Sequence, residues 1–275
     1  MGKVLEELTD KEAKFIAASK VFFVATAPLS AEHHVSVSPK APGNSCVVLA
    51  KNQVAYADLT GSGAETAAHV LQNGRMTIMF CNLDKQGPPQ ILRLYGKAEL
   101  ILAADASSSL KSKFPTTIMS SFGFRAIYKL HVHRVSTSCG YSLPQMEFVK
   151  YRSTLNDVTA ENGKMGMYNY MTKKNSYSID GLPSLALLRL DGPKHVEPVV
   201  EDGFIYGKVV TDKATTTTNT TTKDYYSMEQ AIIKMHKRRK NYYKVEVSLL
   251  HLLIGVVVTF AIGVIVGPTL TDSTV

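Results

Sequence analysis

Apolar residues in the first half of the chain fall in short runs broken by Gly, Pro, Asn and Asp, a pattern of strands joined by turns. Ahead of them, Thr9-Asp10-Lys11-Glu12 is a capping-box pattern that predicts a helix running to about Ser19. Val21–Ala27 reads as a buried strand ended by Pro28, and His34–Ser38 as an alternating one ended by Pro39 and Pro42. Ser45–Ala50 and Gln53–Asp58 flank Lys51-Asn52 as the arms of a hairpin flank its turn. Next comes Leu59-Thr60-Gly61-Ser62-Gly63, then helical spacing over Ala64–Leu71, stopped at Asn73-Gly74. Met76–Phe80 and Ile91–Leu102 are further strands, joined by the polar loop Asn82–Gln90. A weaker helical stretch covers Ala104–Phe114, and Ile127–Val135 alternates with an imperfect phase.

About six strands with mostly short connections and few helices predict a mainly β fold, a six-stranded antiparallel barrel with peripheral helices. Parallel βαβ units would need a crossover helix between successive strands, and most of these loops are too short. Residues 144–210 are weakly patterned. They suggest a helix near Gln145–Leu155 and a strand pair, Ala186–Leu190 with Phe204–Val210.

The far end of the chain reads differently. Of a net charge of +8, a large part lies in residues 223–244, where seven Lys or Arg face only Asp224 and Glu229. From Val247 to Thr271 there is no Asp, Glu, Lys or Arg, which satisfies the roughly 20 apolar residues a spanning helix needs. The basic flank predicts that the preceding residues lie on the cytosolic side. The expected organisation is a globular domain over 1–210, a Thr-rich linker with a basic segment over 211–246, and a transmembrane helix over 247–270. That makes a tail-anchored, single-pass protein. The basic excess then marks a membrane surface, and no nucleic-acid partner is expected. Three widely spaced cysteines exclude a disulfide scaffold and a zinc module.

Candidate chemistry concentrates in two places. Thr60–Gly63, just before a helix, has two glycines that permit close approach of a ligand to backbone, and a helix N-terminus favours anions. Ser62-x-x-Glu65 is equally a capping box, and the two readings are compatible. No P-loop is present. Lys40, at a strand end beside Pro39, is placed to neutralise a phosphate or to be a solvated lysine. His131 and His133 lie two apart without a carboxylate or Cys at metal spacing, so no metal is expected. His69 reads as packed or hydrogen-bonded.

Val35–Lys40 (VSVSPK), Tyr56–Met79 (YADLTGSGAETAAHVLQNGRMTIM) and Ile91–Glu99 (ILRLYGKAE) together resemble the pyridoxamine 5'-phosphate oxidase-like family. Thr137–Pro144 (TSCGYSLP) and Asn175–Pro183 (NSYSIDGLP) resemble an uncharacterised branch of it. The resemblance implies an FMN-binding split barrel, a homodimer with FMN at the subunit interface, and an oxidoreductase of unknown substrate. It would put Val37 and Ser38 beside the flavin ring, Lys40 on the flavin or its phosphate, Tyr56 and Asp58 along the ribityl chain, and Thr60, Gly61, Ser62 and Gly63 on the phosphate. Arg93 faces the same cleft or an exposed face. No catalytic residue is assigned. Where the vitamin B6 oxidases carry a Ser-Arg-Lys phosphate grip, this chain has Ser62-Gly63-Ala64, so pyridoxamine-phosphate oxidation itself is not expected. The alternatives are a haem- or deazaflavin-binding sensor and a structural dimeric tether.

Overall fold

The protein is described here from a computed structural model, over residues 2–189 and 195–210. The strands are β1 (Lys3–Leu5), β2 (Phe22–Thr26), β3 (Ser36–Lys40), β4 (Cys46–Ala50), β5 (Gln53–Leu59), β6 (Arg75–Cys81), β7 (Gln90–Leu102), β8 (Phe124–Cys139), β9 (Val196–Glu201) and β10 (Phe204–Val209). The helices are α1 (Asp10–Ala18), α2 (Glu65–Asn73), α3 (Ser108–Lys111), α4 (Thr116–Met119) and α5 (Thr154–Lys174), the last broken at Gly163.

The predicted helix starts hold at α1 and shift at α2. At α1 the Thr9 amide donates to Glu12 Oε2 at 3.2 Å and the Lys11 amide to Thr9 Oγ1 at 3.3 Å, the expected reciprocal cap. α2 ends at Gly74, whose φ of 72° is left-handed and whose amide bonds Val70 O at 3.0 Å.

β1 to β8 form one antiparallel sheet, ordered β3-β2-β6-β7-β8-β5-β4, with β1 paired to β8. It has eight strands rather than six. β1 is only three residues long, too short to show a period of two, and β3 is a polar edge strand carrying Pro39. Three strands separate β2 from β5, yet Phe22 of β2 meets Tyr56 of β5 edge-on at 5.6 Å. The sheet therefore curls until its two halves touch. Among the described residues no backbone ladder joins β3 to β4, so side chains close the gap.

Those side chains are the core. Phe22, Val24, Ile78, Phe80, Leu92, Leu94 and Leu130 are buried from four neighbouring strands, each contributing about 1.5–3 kcal/mol by removal from water. Phe80 packs against Phe22 at 5.6 Å, and Tyr56 stacks on Tyr128 at 4.9 Å.

β8 carries two bulges, and they explain its broken phase. Tyr95 pairs with Arg134 but Gly96 with Val132, leaving His133 as the extra residue. Asp58 pairs with Ala126 but Leu59 with Phe124, leaving Arg125 as the other. An extra residue turns the strand over by one position, so an alternating pattern cannot stay in register across it. The strand runs well beyond Ile127–Val135 for the same reason.

Two expectations for residues 144–210 are corrected. Gln145–Arg152 has no regular structure, and the helix begins at Thr154. Leu185–Leu188 is a 3-10 turn, and β10 pairs with β9 instead. Short apolar runs do not distinguish a strand from a helical turn. Among the described residues no helix is long and apolar enough to cross a membrane. The linker over 211–246 and the predicted span over 247–270 lie outside the described residues.

Candidate functional site

Asp58 sits near the end of β5 with its carboxylate turned into the sheet interior, 2% exposed. Two cations hold it. Lys40 Nζ, from the edge strand β3, donates to Oδ1 at 2.8 Å, and Arg125 Nε donates to Oδ2 at 2.7 Å. β3 and β5 are not neighbours in the sheet, so the Lys40–Asp58 pair spans the split. Arg125 reaches inward because it is the bulged residue of β8 opposite Asp58. Burial pushes the Asp58 carboxyl up, but Arg125 and Lys40 outweigh it and hold the group below the ordinary carboxylate range. For Arg125 burial acts downward and Asp58 more than reverses it. The site is a triad that stays charged at neutral pH, not a group poised to exchange protons there.

The same guanidinium organises the next loop. Arg125 Nη1 donates to the Gly63 carbonyl at 3.1 Å and to that of Gly61 at 3.4 Å. Asn175, fully buried at the end of α5, donates Nδ2 to the Gly61 carbonyl at 2.9 Å and also reaches those of Ser62 and Gly63. Ser184 Oγ donates to the Ala64 carbonyl at 2.7 Å. Thr60 is tied down by its own amide and hydroxyl, both donating to Gly123 O. The carbonyls of residues 61–64 are thus directed inward and fixed, while Ser62 and Gly63 are exposed.

The capping box expected at Ser62 does not form. The N-cap of α2 is Ala64, and Glu65 Oε2 accepts its amide at 3.1 Å. Ser62 lies two residues outside the cap, so its side chain cannot serve the first turn.

The sequence-predicted residues separate into an inner and an outer set. Tyr56, Asp58 and Thr60 are buried inside the sheet. Tyr56 stacks on Tyr128, burial pushes both phenols up, and neither hydroxyl finds a partner among the described residues. Tyr56 and Thr60 are therefore core residues of the single chain rather than a cleft lining. Val37, 63% exposed, and half-exposed Ser38 lie on β3. Half-buried Arg93 lies on the outward side of β7, and its Nη1 donates to Ser138 Oγ at 3.2 Å.

The remaining candidates behave as structural groups. His69 is buried against Thr26 Oγ1 at 3.0 Å, and burial pushes its imidazole down. His131 Nε2 lies 2.8 Å from Glu99 Oε1, and no cluster of metal-ligating residues occurs among the described residues.

A phosphate dianion fits this loop poorly. Among the described residues both nearby cations are committed to Asp58, and a carboxylate already sits at the helix N-terminus. A neutral ring or polyol meets no such objection at Val37, Ser38 and Ser62.

A curled antiparallel sheet, its split bridged by an ion pair and with a glycine loop and helix between β5 and β6, fits a split-barrel class of protein. Residues 8–139 match the family model described as pyridoxamine 5'-phosphate oxidase. A curated relative from Aspergillus flavus, the pyridoxamine 5'-phosphate oxidase family protein ustO, is 34% identical over 199 residues, 66% of this chain and 76% of the relative. The chain belongs to the pyridoxamine 5'-phosphate oxidase family. Among solved structures, HupZ of Group A Streptococcus aligns at 18% identity and a TM-score of 0.36, covering 48% of this chain and 99% of that one. An FAD-binding protein from Mycobacterium smegmatis aligns at 11% identity and a TM-score of 0.33, covering 48% and 95%.

Proposed function

We propose that the chain is a flavin-binding oxidoreductase of this family, working as a homodimer with FMN as the expected flavin. Family membership carries the reading. The placement of Val37 and Ser38 on an exposed edge beside the Lys40–Asp58 pair supports it. Exposed Val35 and Val37 give that edge the apolar character a ring or a second subunit requires. The chain's own ionisable groups here are locked in the triad, so the redox chemistry falls to the cofactor and the protein supplies binding and orientation.

The purified protein should carry a visible flavin absorbance band, or acquire one when flavin is added. Added at about 100 times its dissociation constant, flavin should raise the unfolding free energy by about 2.7 kcal/mol. Neither a band nor any stabilisation would remove the flavin assignment, and a Soret band would point to haem instead.

We also propose, from the sequence of residues 223–271, that the domain is tethered to the cytosolic face of a membrane. The full chain should stay in the membrane pellet through alkaline carbonate and be released by detergent. A chain ending at residue 222 should be free of the pellet, and equal partitioning of both would discard the tether.

A further inference from the structure

We infer that Glu65 makes the loop before α2 indifferent to the 5'-phosphate of its flavin, so that riboflavin and FMN bind about equally. This deepens the flavin reading above and rests on it. An open helix N-terminus attracts anions through unpaired amides and a partial positive charge. α2 is long enough to have such an end, but it supplies its own anion. Glu65 Oε2 takes the Ala64 amide at 3.1 Å and lies 3.3 Å from the point a Cβ on Gly63 would occupy. The carboxylate therefore stands at the mouth of the glycine loop, consuming a donor and adding a full negative charge.

Among the described residues no free cation offsets it. Arg125 is buried between Asp58 and the carbonyls of Gly61 and Gly63, and Lys40 is bound to Asp58. Turning either cation outward would leave Asp58 buried with half its partners. Asn175 and Arg125 hold three successive carbonyls inward, so the loop is fixed in shape and the Glu65 carboxylate stays at its outward mouth, where it opposes any anion approaching the loop. What faces solvent is the exposed Ser62 and the exposed backbone of Gly63. With the Glu65 carboxylate beside it, that surface suits the hydroxyls of a ribityl chain better than a dianion.

The test is a pair of flavin titrations, read by quenching of flavin fluorescence, on the wild-type full chain and on Glu65→Gln. Glutamine keeps an acceptor for the Ala64 amide, so the helix start is preserved. Wild-type affinities for riboflavin and FMN should agree within about threefold. In Glu65→Gln, FMN should tighten about tenfold, equivalent to about 1.4 kcal/mol, with riboflavin unchanged. A wild-type preference for FMN of tenfold or more, or an FMN-to-riboflavin ratio that Glu65→Gln leaves alone, would overturn the inference. If neither flavin binds, the flavin reading fails, and inorganic phosphate alone reads the loop. Against chloride of equal ionic strength, phosphate should leave the wild-type unfolding temperature unchanged and raise that of Glu65→Gln. A rise in the wild type, or none in either protein, overturns the role of Glu65.

Discussion

Asp58→Asn should cost the domain about 3–5 kcal/mol of folding stability, the range for stripping one partner from a buried ion pair. The carboxylate is 2% exposed, and its removal leaves the Arg125 guanidinium uncompensated in the sheet interior. Lys40 is the less buried partner, with a side chain 20% exposed, and its loss leaves Asp58 still paired with Arg125. Lys40→Met should therefore cost clearly less than Asp58→Asn. Urea denaturation at constant slope measures both, and a loss below about 1 kcal/mol for Asp58→Asn would show that the triad does not hold the split closed.

The pH dependence follows with the same sign. Burial opposes ionisation of Asp58, but Arg125 and Lys40 lower its folded-state value below that of the unfolded chain, about 3.9. The triad's stabilisation is then complete well above pH of about 4 and disappears as pH falls through the lower, folded-state value. Asp58→Asn should flatten that acid limb of the stability curve while leaving the neutral plateau low.

How much of this was legible in the sequence depended on whether local rules or long-range packing decided each element. α1 was legible because Thr9 and Glu12 satisfy each other within one turn. The β4–β5 hairpin and the Gly74 stop were legible for the same reason: turn chemistry is local. Arg125 was not. It falls just outside the predicted Ile127–Val135 strand, and only the bulge opposite Asp58 aims it inward. A charged residue inside Phe124-Arg125-Ala126-Ile127 was the available signal.

Asn175 is the first residue of the motif NSYSIDGLP and Ser184 lies just past its end, but nothing local marks either as a clamp on a loop more than a hundred residues away. Glu65 was read as half of a capping box with Ser62. The structure places the cap at Ala64 instead, and that two-residue shift leaves Glu65 at the first helical position, with its carboxylate on the Ala64 amide at the mouth of the loop. The motif order singles out this loop, and the contacts around it set its charge.

Gly96→Ala should be nearly as damaging as the loss of Asp58, at about 3 kcal/mol or more, for a purely steric reason. Gly96 lies at the bulge where β7 passes the extra residue of β8. A Cβ there would stand 2.1 Å from the His131 carbonyl oxygen and 2.8 Å from Leu130 Cδ1. Leu130 is a fully buried core side chain, and the carbonyl belongs to the longest strand pairing in the sheet, so neither has room to retreat. The strands would have to separate where the bulge sets the curl that brings β2 and β5 together. Gly61→Ala provides the control, because a Cβ on Gly61 meets nothing within 4 Å. Its stability should change by less than about 1 kcal/mol. Equal thermal shifts for the two variants would mean that the β7–β8 bulge does not govern closure of the sheet. A large loss confined to Gly96→Ala would tie the split barrel's shape to one missing side chain.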